Sequence, residues 1–134
     1  SEKRAGAAAV KSGSFASALD NYLGALRLLQ HSNSSQKAKD GHPSIGIEIA
    51  KLYCNLSFCY SKLGKPDFAL ESANEAVRMV GSLRELAGTI LAKAHARRGM
   101  ALQELKRHEE AVHAFSCAVE SATVNNDITE YSRL

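Results

Sequence analysis

An all-α chain is predicted, an open stack of three helix-turn-helix repeats with the start of a capping helix behind them. Three observations predict it. First, one grammar occurs three times, as Gly13-Ser14-Phe15 with Ala18, Gly64-Lys65-Pro66 with Ala69, and Lys106-Arg107-His108 with Ala111. Each copy continues at the same offsets, with Tyr22 and Ala25, Ala73 and Ala76, and Phe115 and Ala118. Self-similarity of this kind marks stacked units whose neighbours bury each other's apolar faces. Second, Ala, Leu, Lys, Glu and Ser recur throughout the 134 residues, Trp is absent and Pro occurs only at Pro43 and Pro66, a helical balance. Third, apolar residues return at helical rather than alternating spacing.

Seven helices follow in order. The first runs to about Ser12, with Ala8 and Ala9 on its buried face. The second spans about Phe15 to Gln30 on the stripe Phe15, Ala18, Leu19, Tyr22, Ala25, Leu26 and Leu29. His31 to His42 holds almost nothing apolar and reads as a mobile polar loop. A third helix starts after Pro43-Ser44 and is closed by Gly64 after Leu63. Pro66 opens the fourth in its first turn, where a missing N–H costs little, and Phe68, Ala69, Ala73, Ala76, Val77 and Val80 form its stripe. Ser82-Leu83-Arg84-Glu85 has capping-box form and starts a fifth helix that ends near Leu105. The sixth spans His108 to about Ala122, and Asp127 with Glu130 begins a seventh that the sequence cuts at Leu134.

The units therefore fall at about 1–31, 44–80 and 83–122, with the polar loop at 32–43 and the capping helix from about 127, in a single domain over 1–134. Their spacing is uneven: positions 13 to 64 are 51 apart and positions 64 to 106 are 42 apart. A helix-turn-helix repeat of the commonest kind takes about 34 residues. The surplus lies in the fronts of the third and fifth helices, and Ile45, Ile49 and Leu52 are expected to pack against Leu83, Leu86 and Ile90 as a protruding two-helix wall.

Composition narrows the function. Net charge is +3, too weak for a nucleic-acid footprint but suited to an acidic partner. Cys54, Cys59 and Cys117 have no framework spacing, and the first two sit on different helix faces, so free thiols in a reducing compartment are expected. The apolar run Ala5 to Val10 is too short for a signal or a membrane span. The chain reads as cytoplasmic, with the nucleus as the other compartment, and the pattern already under way at Ser1 reads as part of a longer protein. His31, His42, His95, His108 and His113 form no ligand set, and no phosphate loop, HExxH or nucleophile elbow is present. No enzyme, metal or cofactor is read.

The small residues Gly6, Ser57 and Gly99 in the first helix of each unit, with Ala18, Ala69, Ala111 and Ala25, Ala76, Ala118 in the second, carry a resemblance to the tetratricopeptide-repeat family over essentially the whole chain. That resemblance implies a right-handed α-solenoid whose first helices line a concave face, here with Lys3 and Ala7, then Lys51, Asn55, Phe58 and Lys62, then Lys93, Arg97, Met100 and Glu104. The run Lys93 to Gly99 looks like the third-repeat signature of co-chaperone domains with a carboxylate clamp. Such domains hold the acidic C-terminal tail of a heat-shock chaperone, ending Glu-Glu-Val-Asp, with two Lys, one Arg and two Asn. By register Lys3, Asn55, Lys93 and Arg97 match the clamp, Lys62 an accessory lysine, and Phe58 with Met100 a pocket for the tail's Val. Ala7 stands where the family has the second Asn, Lys106 where it has a turn glycine, and Pro66 where it has an aromatic.

The chemistry holds without the family. Cations converging on a groove satisfy a terminal carboxylate through charge-assisted bonds, and Lys93 and Arg97, four apart, share a helix face. The function expected is thus a peptide-binding adaptor with no nucleic-acid or membrane partner. The alternative is a scaffold of the same fold that binds a folded partner or a helix, or self-associates, without a clamp.

Overall fold

The computed structural model describes residues 14–37, 43–82 and 84–124, with side chains at all of these except 33–37, 43–44 and 84–87. Among the described residues there are five helices and no strand: α1 (Phe15–Lys37), α2 (Pro43–Lys62), α3 (Pro66–Val80), α4 (Arg84–Glu104) and α5 (His108–Val124). The first and seventh predicted helices, Leu83, Lys3, Gly6 and Ala7 lie outside the described residues, and the side chains of Glu85 and Leu86, and with them the capping box, lie outside the described side chains.

The repeated grammar sets the turns. After α2 the Gly64 N–H donates to the Ser61 carbonyl at 3.1 Å and the Lys65 N–H to the Tyr60 carbonyl at 2.8 Å. After α4 the Lys106 N–H donates to Gln103 at 3.0 Å and the Arg107 N–H to Leu102 at 2.8 Å. Both are the paired reverse bonds of a Schellman stop, which needs one residue in the left-handed region. That residue is Gly64 at φ 72° in one turn and Lys106 at φ 64° in the other. The next helix then starts identically, with Ala69 donating to Lys65 and Ala111 to Arg107, each at 3.0 Å.

Small residues let consecutive helices touch. Ser57 is buried and its hydroxyl donates to the Ala69 carbonyl at 2.8 Å, tying α2 to α3. Gly99 is in the matching place on α4, and a Cβ there would meet the Phe115 ring of α5 at 2.7 Å. Each helix packs on the next in sequence, and α2 also packs on α4. The core is correspondingly segmented. Ala18, Tyr22 and Leu26 of α1 bury Ile49, Leu52, Leu56 and Cys59 of α2. Ala50 and Cys54 of α2 meet Ala76 and Val80 of α3 and Leu91 and Ala94 of α4. Leu102 of α4 meets Ala111 and Ala114 of α5.

Two expectations are corrected. The loop from His31, or 32 in the unit boundaries, gives way to helix as far as Lys37. Ser and Asn are poor helix formers, but none of residues 31–37 is Gly or Pro, and propagation of an existing helix tolerates weak formers far better than breakers. The extended fronts of α2 and α4 do touch; Leu83 and Leu86, the expected partners of Ile45, Ile49 and Leu52, lie outside the described side chains. Those three belong to the α1-facing cluster, whereas Ile47, Ala50 and Cys54 meet Ile90, Leu91 and Ala94. One residue of offset turns a helical side chain by about 100°, enough to change the neighbour it faces.

Candidate functional site

Where α2 lies against α4, two of the expected cationic side chains gather around one ring. The Arg97 guanidinium carbon is 4.5 Å from the centroid of Phe58, and the Lys62 ammonium is 5.4 Å from the same centroid. Phe15 of α1 meets Phe58 edge-on, with centroids 5.9 Å apart at 69°. Aromatic faces attract cations electrostatically, more strongly where water is excluded, so Phe58 fixes Arg97 while Phe15 fixes Phe58. Met100, one turn beyond, receives Arg97 Nη1 at 3.6 Å from its sulfur, a weak contact.

Arg97 is incompletely satisfied. Its Nε is buried with no hydrogen-bond partner, and among the described residues no carboxylate pairs with it. Burial pushes its pKa down, offset in part by the nearby Cys54 and Cys59 thiols, though a guanidinium remains charged throughout the ordinary pH range. The thiols record the same field from the other side. Burial pushes Cys54 up to about 11, with Lys93 and Arg97 pulling against it, and pushes Cys59 up with Arg97 alone opposing. Lys93 is exposed one turn before Arg97. Asn55 is half-buried one turn before Phe58 and makes no side-chain hydrogen bond to a described residue.

Of the expected residues, the structure thus brings Phe58, Lys62, Arg97 and Met100 into contact and sets Lys93 and Asn55 one turn away on the same helices. Lys3, with Ala7, lies outside the described residues. Phe58 and Met100 support the Arg97 side chain here, where a floor for an apolar tail residue was expected. Phe15 completes the arrangement, and its part could have been suspected from its place at the start of the first repeated motif. Lys93 also borders a hollow of about 560 Å³ between α4 and α5, whose wall is otherwise mainly Ile90, Ala92, Ala96, Ala118 and Val119.

Other expected chemistry lies elsewhere. Cys54, Cys59 and Cys117 are free, the first two buried in separate clusters. His95 is buried with Arg98 Nη1 3.3 Å from its Nδ1, and His113 Nε2 lies 3.7 Å from the Cys117 sulfur. Among the described residues no three His, Cys, Asp or Glu side chains gather as a metal site, and no helix is long and apolar enough to cross a membrane.

A family model described as a Domain of Unknown Function (DUF3856) matches residues 4–130. No curated protein matches the sequence.

Proposed function

We propose that this chain, which belongs to the DUF3856 family, is a peptide-binding adaptor of tetratricopeptide-repeat type that holds an acidic C-terminal tail on the face shared by α2 and α4. The observation that carries this reading is Arg97: a half-buried guanidinium seated on Phe58, its Nε unbonded, with no carboxylate of its own among the described residues. Burying a charge without a partner is unfavourable, and an incoming carboxylate would supply what is missing through charge-assisted hydrogen bonds. Lys62 and Lys93 flank it, and Asn55 brings both a donor and an acceptor for a peptide backbone.

The two Schellman turns, at Gly64 and Lys106, support the repeat reading because the same bonds recur at the register that the grammar sets. A chaperone tail ending Glu-Glu-Val-Asp fits the cation set, with Lys3 as a further contact by register. Such a module acts as a co-chaperone adaptor in the cytoplasm or nucleus and performs no catalysis.

The test is a titration of a peptide ending Glu-Glu-Val-Asp, and of its C-terminally amidated form, against wild type and Lys93→Ala/Arg97→Ala. The free acid is expected to bind, with amidation and the double substitution each weakening it at least about tenfold, the loss of one or more charge-assisted bonds. No binding of the free acid, or equal binding to the double variant, overturns the reading. Ala7→Asn is expected to tighten the complex.

One observation favours the scaffold alternative. Val112 and Val119 of α5 are 65% and 58% exposed, seven apart on one helix side, and Val119 borders the apolar hollow described above. A partner helix or a second copy seated there would leave Arg97 and Lys62 unused, and peptide binding would then be absent while self-association appears in sedimentation.

A further inference from the structure

On the other side of α2 the chemistry reverses. Tyr53 and Tyr60 lie there, roughly 160° around the helix axis from Asn55, Phe58 and Lys62 at 3.6 residues per turn. They line a hollow of about 390 Å³ between α1, α2 and α3, together with Phe68, Glu71, Ser72 and Glu75 of α3. Phe68 is 53% exposed and stacks on Tyr60, with centroids 5.4 Å apart and planes 28° apart. Gln30 of α1 donates to the Tyr53 hydroxyl at 3.0 Å and holds that ring in place. The hollow is therefore an aromatic surface with carboxylates along one edge.

Its polar groups are not used up by the fold. Glu75 is paired with Arg78 at 2.7 Å, whereas Glu71 is exposed and in no ion pair among the described residues. Ser72 is only 7% exposed and borders the hollow. A helical serine usually returns its hydroxyl to the carbonyl one turn back, as Ser121 does to Cys117 at 2.8 Å. Ser72 makes no such bond, nor any other to a described residue. The field is negative here too: burial first, then the Glu75 and Glu71 carboxylates, hold the Tyr53 phenol above its ordinary range against the opposing pull of Gln30 and Arg78.

We infer that this hollow is a second binding site, independent of the cationic face, that takes the guanidinium of an arginine in an extended segment of a protein partner. The planar group stacks on the pair formed by half-buried Tyr60 and exposed Phe68, donates to Glu71 and meets the Ser72 hydroxyl. An ammonium matches this less well, being a compact, strongly hydrated charge without a flat face. The exposed Phe68 and Glu71 at the rim leave the stem and backbone of the arginine on the open side, which suits a peptide.

The test uses the peptide acetyl-Gly-Ser-Arg-Ser-Gly-amide and its lysine and citrulline counterparts, followed by amide chemical shifts of labelled protein. The arginine peptide is expected to move resonances around Tyr53, Tyr60, Phe68, Glu71 and Ser72 to saturation. Citrulline keeps the shape without the charge and is expected to bind about tenfold more weakly or less, with lysine between. Glu71→Gln and Phe68→Leu, both at exposed positions, should each weaken the arginine peptide about tenfold with melting temperature unchanged. Lys93→Ala/Arg97→Ala should leave it unchanged, which separates this site from the tail-binding one. Absence of shifts at millimolar peptide, equal binding of lysine or citrulline, or indifference to Glu71→Gln overturns the inference.

Discussion

The Arg97 guanidinium sits over Phe58 with its Nε buried and unbonded, so the stacking contact offsets only part of what its desolvation costs. A residue in that position should be worth more to binding than to folding. Replacing a poorly paired buried charge by an apolar side chain of similar length is commonly neutral or stabilising. Arg97→Met is therefore expected to raise the unfolding free energy by about 1 kcal/mol while abolishing capture of an acidic tail. Paired denaturant melts and peptide titrations read both effects. A variant that is less stable and still binds would assign Arg97 to packing alone.

Cys54 gives a pH dependence with a defined sign. Burial raises its folded-state pKa from the ordinary 9.0 to about 11, so the folded chain disfavours the thiolate relative to the unfolded one. Stability contributed by the neutral thiol is complete below about pH 9 and is lost as pH rises through 11, amounting to about 2–3 kcal/mol over that window. Unfolding followed from pH 8 to 11 should show the loss, and Cys54→Ala should flatten it. In the folded protein at pH 8, iodoacetamide should modify the partly exposed Cys117 well before the buried Cys54.

At the scale of the element, the two Schellman turns form the same bonds from different residues. Lys106 holds φ 64° where Gly64 holds φ 72°, and a side chain in the left-handed region costs roughly 1–2 kcal/mol. Glycine avoids that cost but loses about 0.5–1 kcal/mol to its freer unfolded chain. Lys106→Gly should thus stabilise by about 0.5–1 kcal/mol, and Gly64→Ala should destabilise by a similar amount, both measured by thermal or denaturant unfolding. The same turns show what could be read in advance. Gly64-Lys65-Pro66 and Lys106-Arg107-His108 are local signals, so the stops of α2 and α4 and the starts of α3 and α5 followed from them within a residue or two. Repeat register put Asn55 and Arg97 at equal positions on first helices, with Phe58 and Met100 a turn further on, but it did not announce that Phe58 seats the Arg97 guanidinium. The continuation of α1 to Lys37 was hidden because polar composition resembles a loop while helix propagation depends on breakers. The Tyr53–Tyr60–Phe68 hollow was hidden because it joins three helices, and no spacing within one helix announces it.

At the scale of the molecule, stability should be graded rather than uniform. Helix α2 packs on α1, α3 and α4, and α4 on α2, α3 and α5, while α1 packs chiefly on α2 and α5 chiefly on α4 among the described helices. In an array held together by nearest neighbours, each helix is as protected as the interfaces flanking it. The fully buried Leu52, Cys54, Leu56 and Cys59 of α2, and Leu91, Ala94, Ala101 and Leu102 of α4, occupy those shared interfaces. Helix α5 instead shows Val112 and Val119 to solvent. Amides from Leu52 to Cys59 and from Leu91 to Leu102 should therefore exchange with deuterium at least about tenfold more slowly than those in the last two turns of α5. Uniform protection across all five helices would mean a single cooperative core in place of a graded array. The gradient bears on both binding readings, because Phe58, Arg97, Tyr53 and Tyr60 all stand on the two helices expected to open least. A peptide then meets side chains already fixed by their supports, and affinity on either face is set by the contacts it makes rather than by ordering the site. Saturating one face should accordingly change affinity at the other by less than about twofold, which a titration of the arginine peptide with the acidic peptide present measures directly.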